Sequence, residues 1–161
     1  MYNVGEKVVH PMHGAGIVQE IRTIEVLGKK QDYYTIKMAV GGMVTSIPVD
    51  NATLVGIRDV INKAEAKRVI EAFRALEVTE DSNWNKRQRD NLGKLKSGDI
   101  YQVLMVLKDL MYREKKKGLS TNERKTLSSA RQIVLSELVL SEFASESDIE
   151  SILEDTIEEL L

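Results

Sequence analysis

The segment Ser82-Asn83-Trp84-Asn85-Lys86-Arg87-Gln88-Arg89 places the chain's only tryptophan just ahead of three cations. A large flat apolar ring beside basic side chains can stack on nucleic acid or insert into it while the cations meet phosphates. Ser82 or Asn83 is suited to accept a hydrogen bond from the first unpaired backbone N–H groups of a helix. That puts Trp84 in the opening turn, where a side chain can project. A second reading competes. Positions 84, 88, 92 and 95 share one helix face, so the indole could instead cover a core begun by Leu92 and Leu95. Spacing alone favours burial, since aromatic rings are usually inside. The clustering of charge favours nucleic acid.

Charge is segregated along the chain although the total is only −2. From Ser82 to Arg131 there are 13 basic and five acidic side chains, a net of +8, which exceeds what solubility demands. Beyond Arg131 no Lys or Arg occurs, while nine acids follow from Glu137 to Glu159. A basic middle and an acidic tail are either separate surfaces or partners for each other. Part of the basic cluster has a plainer role, because Lys115-Lys116-Lys117 at a helix end complements the macrodipole.

Other chemistry is hard to assemble. The two histidines fall in His10-Pro11-Met12-His13-Gly14, without the acids or thiolates that would complete a metal site, and read as a proline-led turn between strands. Gly14-Ala15-Gly16 lacks the following helix that a phosphate-binding loop needs and reads as a backbone-turning device. No nucleophile, base and orienting group come together, so neither an enzyme nor a cofactor or metal requirement is expected. Zero cysteines rule out disulfides. No apolar run reaches membrane-spanning length, and the first residues lack the profile of a secretory signal, which is compatible with the cytoplasm.

The elements that must position Trp84 change character near Gly56. Before it the signals are β. Tyr34, Ile36 and Met38 alternate with Tyr33, Thr35 and Lys37, and Gly41-Gly42 offers a reversal. Met43 to Val49 can return antiparallel, with Pro48 restricting it to an edge or an end. Gly28-Lys29-Lys30 supplies another turn after an extended run from Ile17 to Leu27. With Val8-Val9 and Leu54-Val55 this makes about five short strands, enough for a small barrel. After Gly56 the period is helical. One stripe runs through Ile57, Val60, Ile61, Ala66, Val69, Ile70, Phe73 and Leu76, and another through Ile100, Val103, Leu104, Leu107, Leu110 and Met111. Ser120-Thr121-Asn122-Glu123, following Gly118, and Ser147-Asp148-Ile149-Glu150 read as capping boxes. The tail carboxylates lie opposite Ile149, Ile152, Leu153 and Ile157, as a solvated helix face would. That tail either packs on the other helices or mediates self-association. The expected fold is α+β in two domains: an SH3-like or Tudor-like β-barrel over residues 1–57, and an all-helical bundle of about five helices over 58–161 that ends in the acidic helix.

Several ordered motifs carry a resemblance. They are Gly5-Glu6-Lys7-Val8-Val9-His10-Pro11-Met12-His13-Gly14, then Pro48 with Gly56-Ile57-Arg58-Asp59-Val60, and Asn83-Trp84-Asn85-Lys86-Arg87. Leu92-Gly93-Lys94-Leu95-Lys96-Ser97-Gly98-Asp99 follows, and after it Lys117-Gly118-Leu119-Ser120, Lys125 and Ala130-Arg131-Gln132-Ile133. Together they resemble the CarD/CdnL family of bacterial transcription regulators over nearly the whole chain.

The resemblance implies a Tudor-like RNA polymerase-interacting domain, shared with the transcription-repair coupling factor, joined to a helical domain that touches promoter DNA at the upstream edge of the transcription bubble. It implies no chemistry. By it, Trp84 wedges into the minor groove, with Lys86, Arg87, Arg89, Lys94 and Lys125 on phosphates and little sequence preference. It also implies that the first domain extends a sheet of the polymerase β-subunit lobe, through strand backbone flanked by Arg22, Ile24, Thr45, Ser46, Ile47 and Pro48. At Ile24 and Ser46 some relatives carry arginines. The implied protein is a cytoplasmic, nucleoid-associated factor that stabilises the open promoter complex and is a monomer when free. Two alternatives stand beside it. One is a free-standing, sequence-nonspecific nucleic-acid binder. The other is a Tudor-like reader of methylated side chains, which adjacent Tyr33 and Tyr34 serve poorly because they face opposite ways.

Overall fold

The computed structural model describes residues 1–78 and 83–161. The first part is an antiparallel sheet of β1 (Lys7–His10), β2 (Gly14–Val26), β3 (Lys29–Met38), β4 (Val44–Pro48) and β5 (Arg58–Asp59), in the order β4-β3-β2-β1-β5. The alternation in β3 holds: Tyr34, Ile36 and Met38 face a small core with Val8, Val18, Ile47 and Ala52. Val26 pairs with Lys29, so the β2–β3 hairpin closes on Leu27 and Gly28 alone, both at positive φ (53° and 77°), as a two-residue turn matched to strand twist requires. His10 to His13 forms the expected turn, in which the Met12 N–H donates to His10 Nδ1 at 3.0 Å.

Two expectations for this part are corrected. The sheet is not a closed barrel, because β4 and β5 are its two edges and do not pair with each other. Pro48 ends β4, and β5 is only two residues long. Leu54-Val55 is not a strand either. It lies in a short helix, α1 (Ala52–Val55), which follows a 3₁₀ turn at Val49–Asn51 and is stopped by Gly56 at φ 94°. The fifth strand is Arg58–Asp59, which pairs with Val9 and Val8.

The helices are α2 (Lys63–Ala75), α3 (Trp84–Leu95), α4 (Ile100–Lys116), α5 (Thr121–Leu140) and α6 (Glu146–Glu158). Ile57, Val60 and Ile61 precede α2 instead of extending its stripe, since the first cap is Asn62, whose side chain accepts from the Glu65 N–H. Ser120 caps α5 as expected. The cap of α6 is Ser145, two residues earlier than its sequence suggested, and it accepts from the Asp148 N–H. Phe73, Leu104, Leu107, Leu110, Val134, Leu138, Ile149 and Leu153 are among the buried side chains that form one core. Inside it Lys108 Nζ donates to the carbonyls of Phe73 (2.6 Å), Arg74 (3.1 Å) and Leu76 (2.5 Å), satisfying acceptors at the end of α2.

Sheet and helices meet along α5. The Ala15 N–H donates to Ser136 Oγ at 2.8 Å, Gln132 Nε2 to the Val40 carbonyl at 2.7 Å, and Lys7 Nζ to the Leu140 carbonyl at 2.8 Å. Gly14 does more than turn the chain. A Cβ there would lie 2.4 Å from Ser136 Oγ and 3.0 Å from the Gln132 carbonyl oxygen, so only glycine permits this approach.

Candidate nucleic-acid interface and open strand edge

Helix α3 begins where the sequence indicates, because the Asn83 side chain accepts the Lys86 N–H at 3.1 Å and so satisfies a first-turn donor. Trp84 is therefore the first helical residue, and 42% of it is exposed. Leu95 is buried, while Leu92, on the same face, is exposed. The helix thus enters the core at its far end and leaves the indole projecting from its start.

Facing Arg87 lies a group whose role the sequence did not suggest. Glu123, in the first turn of α5 and only 3% exposed, accepts hydrogen bonds from Arg87, whose Nε and Nη2 lie 3.0 and 3.2 Å from its two oxygens. Burial alone would raise the Glu123 carboxyl. The hydrogen bond and charge of Arg87 and the charge of Arg113 outweigh it and hold the group below the ordinary carboxylate range. Glu123 still serves as the third helical residue after its cap, donating its backbone N–H to Ser120 Oγ at 3.2 Å. That capping pattern explained its presence so completely that it hid the second role of the side chain.

The other expected cations divide. Lys86, Arg89 and Lys125 are exposed and Lys94 is half-buried, and none has a carboxylate within salt-bridge distance among the described residues. Lys125 lies two residues beyond Glu123, so the Arg87–Glu123 pair brings the first turn of α3 beside the helical turn that carries it. Arg87 is turned inward onto Glu123. Part of the +8 window is also answered internally by the tail. Lys115 lies 3.8 Å from Glu154 and 3.6 Å from Glu158, and Arg131 lies 3.4 Å from Glu154, so basic middle and acidic helix are partners here. The apolar stripe of α6 faces the same core.

In the sheet β4 is an edge strand, with the backbone groups of one side turned away from β3. Val44 and Ser46 are exposed, and Thr45 and Pro48 are half-buried. Ile47 points into the sheet core, so it offers a partner its backbone only. Arg22 is exposed and pairs with Glu20 at 2.7 Å, and half-buried Ile24 sits opposite Gln31 in the hairpin that β2 and β3 extend past β4. Among the described residues no three His, Cys, Asp or Glu side chains converge as metal ligands, and no helix is long and apolar enough to cross a membrane.

Residues 2–61 match the model of the CarD-like/TRCF RID domain, and residues 68–154 match that of the CarD C-terminal domain. The chain belongs to the CarD family. It is also 34% identical over 151 residues to YdeB of Bacillus subtilis (strain 168), named as a candidate transcription factor, with 94% of this chain and 99% of that protein covered. The two CarD models fall on the two parts of the fold, the first on the sheet with β5 and the second on helices α2 to α6. Membership makes this chain a transcription-related factor that interacts with RNA polymerase. Within that CarD frame the open edge of β4 and the projecting Trp84 are separate surfaces, joined through α5.

Proposed function

We propose that the protein holds the β-subunit lobe of RNA polymerase by adding a strand at the β4 edge and stabilises the open promoter complex through Trp84. Strand addition draws affinity from backbone hydrogen bonds and needs no particular side chain, which accommodates Ile24 and Ser46. Trp84 inserts into the distorted minor groove at the upstream edge of the bubble, and Lys86, Arg89, Lys94 and Lys125 meet phosphates. A ring that fits only partly unwound DNA binds the melted state more tightly than the closed duplex, and that difference shifts the opening equilibrium. The observation that carries this reading is a large aromatic ring left exposed at a helix start, beside cations that have no carboxylate within salt-bridge distance among the described residues.

The test is the lifetime of open complexes, formed with the full chain and challenged with competitor. By analogy with base–aromatic stacking, Trp84→Ala should remove on the order of 1–3 kcal/mol of open-state stabilisation while capture of polymerase is retained. Unchanged lifetimes would reject the wedge. Tight, salt-dependent binding to bare duplex without polymerase would point instead to a free-standing nucleic-acid binder.

A further inference from the structure

We infer that the tip of the β2–β3 hairpin, Val26 and Leu27, makes a second contact with RNA polymerase, as an apolar knob that docks beside the strand seated on β4. The inference deepens the strand-addition reading and rests on it for where polymerase lies against the sheet, but not for the properties of the tip.

A two-residue turn with both φ values positive is built with least strain from Asn-Gly or Gly-Gly, because most L side chains fit the left-handed region poorly. Gly28 meets that demand and Leu27, at φ 53°, does not. The fold does not offset the strain. Leu27 is 99% exposed, so its side chain gains no packing, and its neighbour Val26 is 52% exposed. Among the described residues the other non-glycine position at positive φ is Glu142, which follows α5 and whose carboxylate pairs with Lys7 at 3.4 Å. Leu27 has no comparable anchor inside the molecule. A strained backbone that holds a bare apolar side chain in solvent presents that side chain to a partner.

Its place in the sheet identifies the partner. The last lateral pair between β3 and β4 is Tyr33 with Pro48, where β4 ends. Strands β2 and β3 run on together for four more pairs, from Thr23 with Asp32 to Val26 with Lys29, an overhang of about 14 Å at the rise of a strand. This arm belongs to the same sheet as β4, so a domain-sized body that adds a strand to the β4 edge lies alongside the overhang as well. Val26, Ile24, Tyr33 and Pro48 fall on the sheet face turned away from buried Tyr34 and Ile47, which gives an apolar track from the tip to the end of β4. Tip and edge both lie within residues 2–61, the part that matches the RID domain. A second copy is a poorer occupant, because exposed Lys29 and Lys30 flank the knob and would meet their own kind across a two-fold contact.

The test uses the full chain and purified RNA polymerase. Leu27→Asn suits the turn better than leucine, so the thermal midpoint should stay or rise while affinity for polymerase falls about 3- to 10-fold, the effect of half-burying a leucine. Leu27→Met, which keeps an apolar side chain, should bind as the parent does. Unchanged affinity in Leu27→Asn overturns the inference. A lowered midpoint also overturns it, by showing that Leu27 supports the fold, and so does self-association of the parent that Leu27→Asn abolishes, which would make a second copy the occupant. Benzoylphenylalanine placed at position 27 or at position 46 distinguishes the knob from the strand edge. Cross-links from both positions to the β subunit are expected. Cross-linking from position 46 alone removes the knob and leaves strand addition, whereas cross-linking from position 27 alone rejects strand addition at β4 and keeps the knob.

Discussion

Removing Glu137 should uncouple the sheet from the helices at a predictable cost. Its carboxylate is 0% exposed, and its two oxygens accept from Arg58 Nη1 and Nη2, each at 2.6 Å. One of them also accepts the Ile61 N–H at 3.1 Å, and Arg58 Nε donates to the Gly98 carbonyl at 3.0 Å. The pair therefore ties β5 and the start of the helical region to α5. Glu137→Ala leaves a guanidinium without its counter-ion and a backbone donor without its acceptor, and breaking a buried pair from one side costs roughly 3–5 kcal/mol. Arg58 retains 30% side-chain exposure, so water can recover part of this, and the lower end, about 3 kcal/mol, is expected. For a chain of this size that lowers the thermal midpoint by roughly 6–12 °C. Urea and thermal unfolding of the single variant, and of Arg58→Met with Glu137→Leu, measure it. The double variant should recover most of the loss, because two apolar side chains need no counter-ion. A single variant within about 1 kcal/mol of the parent would refute the reasoning. A double variant as unstable as the single would show that the loss comes from packing and not from charge.

Stability should also fall with acidity through His10. Burial, and after it the charge of His13, push the His10 imidazole down to about 4, whereas the unfolded chain titrates near 6.5, so between those values the unfolded state binds the extra proton. The loss should accumulate as pH drops from about 6.5 to about 4, total roughly 1–3 kcal/mol and then cease. His10→Asn, which can still accept the Met12 N–H, should flatten that stretch of the unfolding curve, and a parent curve already flat there contradicts the burial argument. Gly14→Ala should cost about 2 kcal/mol or more, because its Cβ meets Ser136 Oγ at 2.4 Å and its φ of 95° is strained for alanine. An unchanged thermal midpoint would show that α5 yields at this point.

The features that local periodicity and capping chemistry control were legible in the chain. The alternation of Tyr34, Ile36 and Met38, the stripes of α4 and α6 and the Asn83 and Ser120 caps all depend on neighbours within a few residues. Leu54-Val55 was misread because a two-residue apolar pair has no period of its own, and the turn ended by Gly56 took it into a helix. The closed barrel failed because closure depends on whether two edge strands meet, and strand lengths and bulges far apart in sequence decide that. Glu137 left a faint signal, an acid set between Val134 and Leu138 in an otherwise apolar stripe, but its count among the tail acids concealed it.

Sequence alone thus determined which helix and strand faces are apolar, that Asn83 and Ser120 cap their helices and that one tryptophan opens a basic helix, because these follow from residue type and short-range spacing. Tertiary structure decided whether that tryptophan is covered or exposed and which of its neighbouring cations are already spent on partners. The second outcome turns on Glu123 meeting Arg87 from 36 positions away, a proximity that only the packing of α3 against α5 creates.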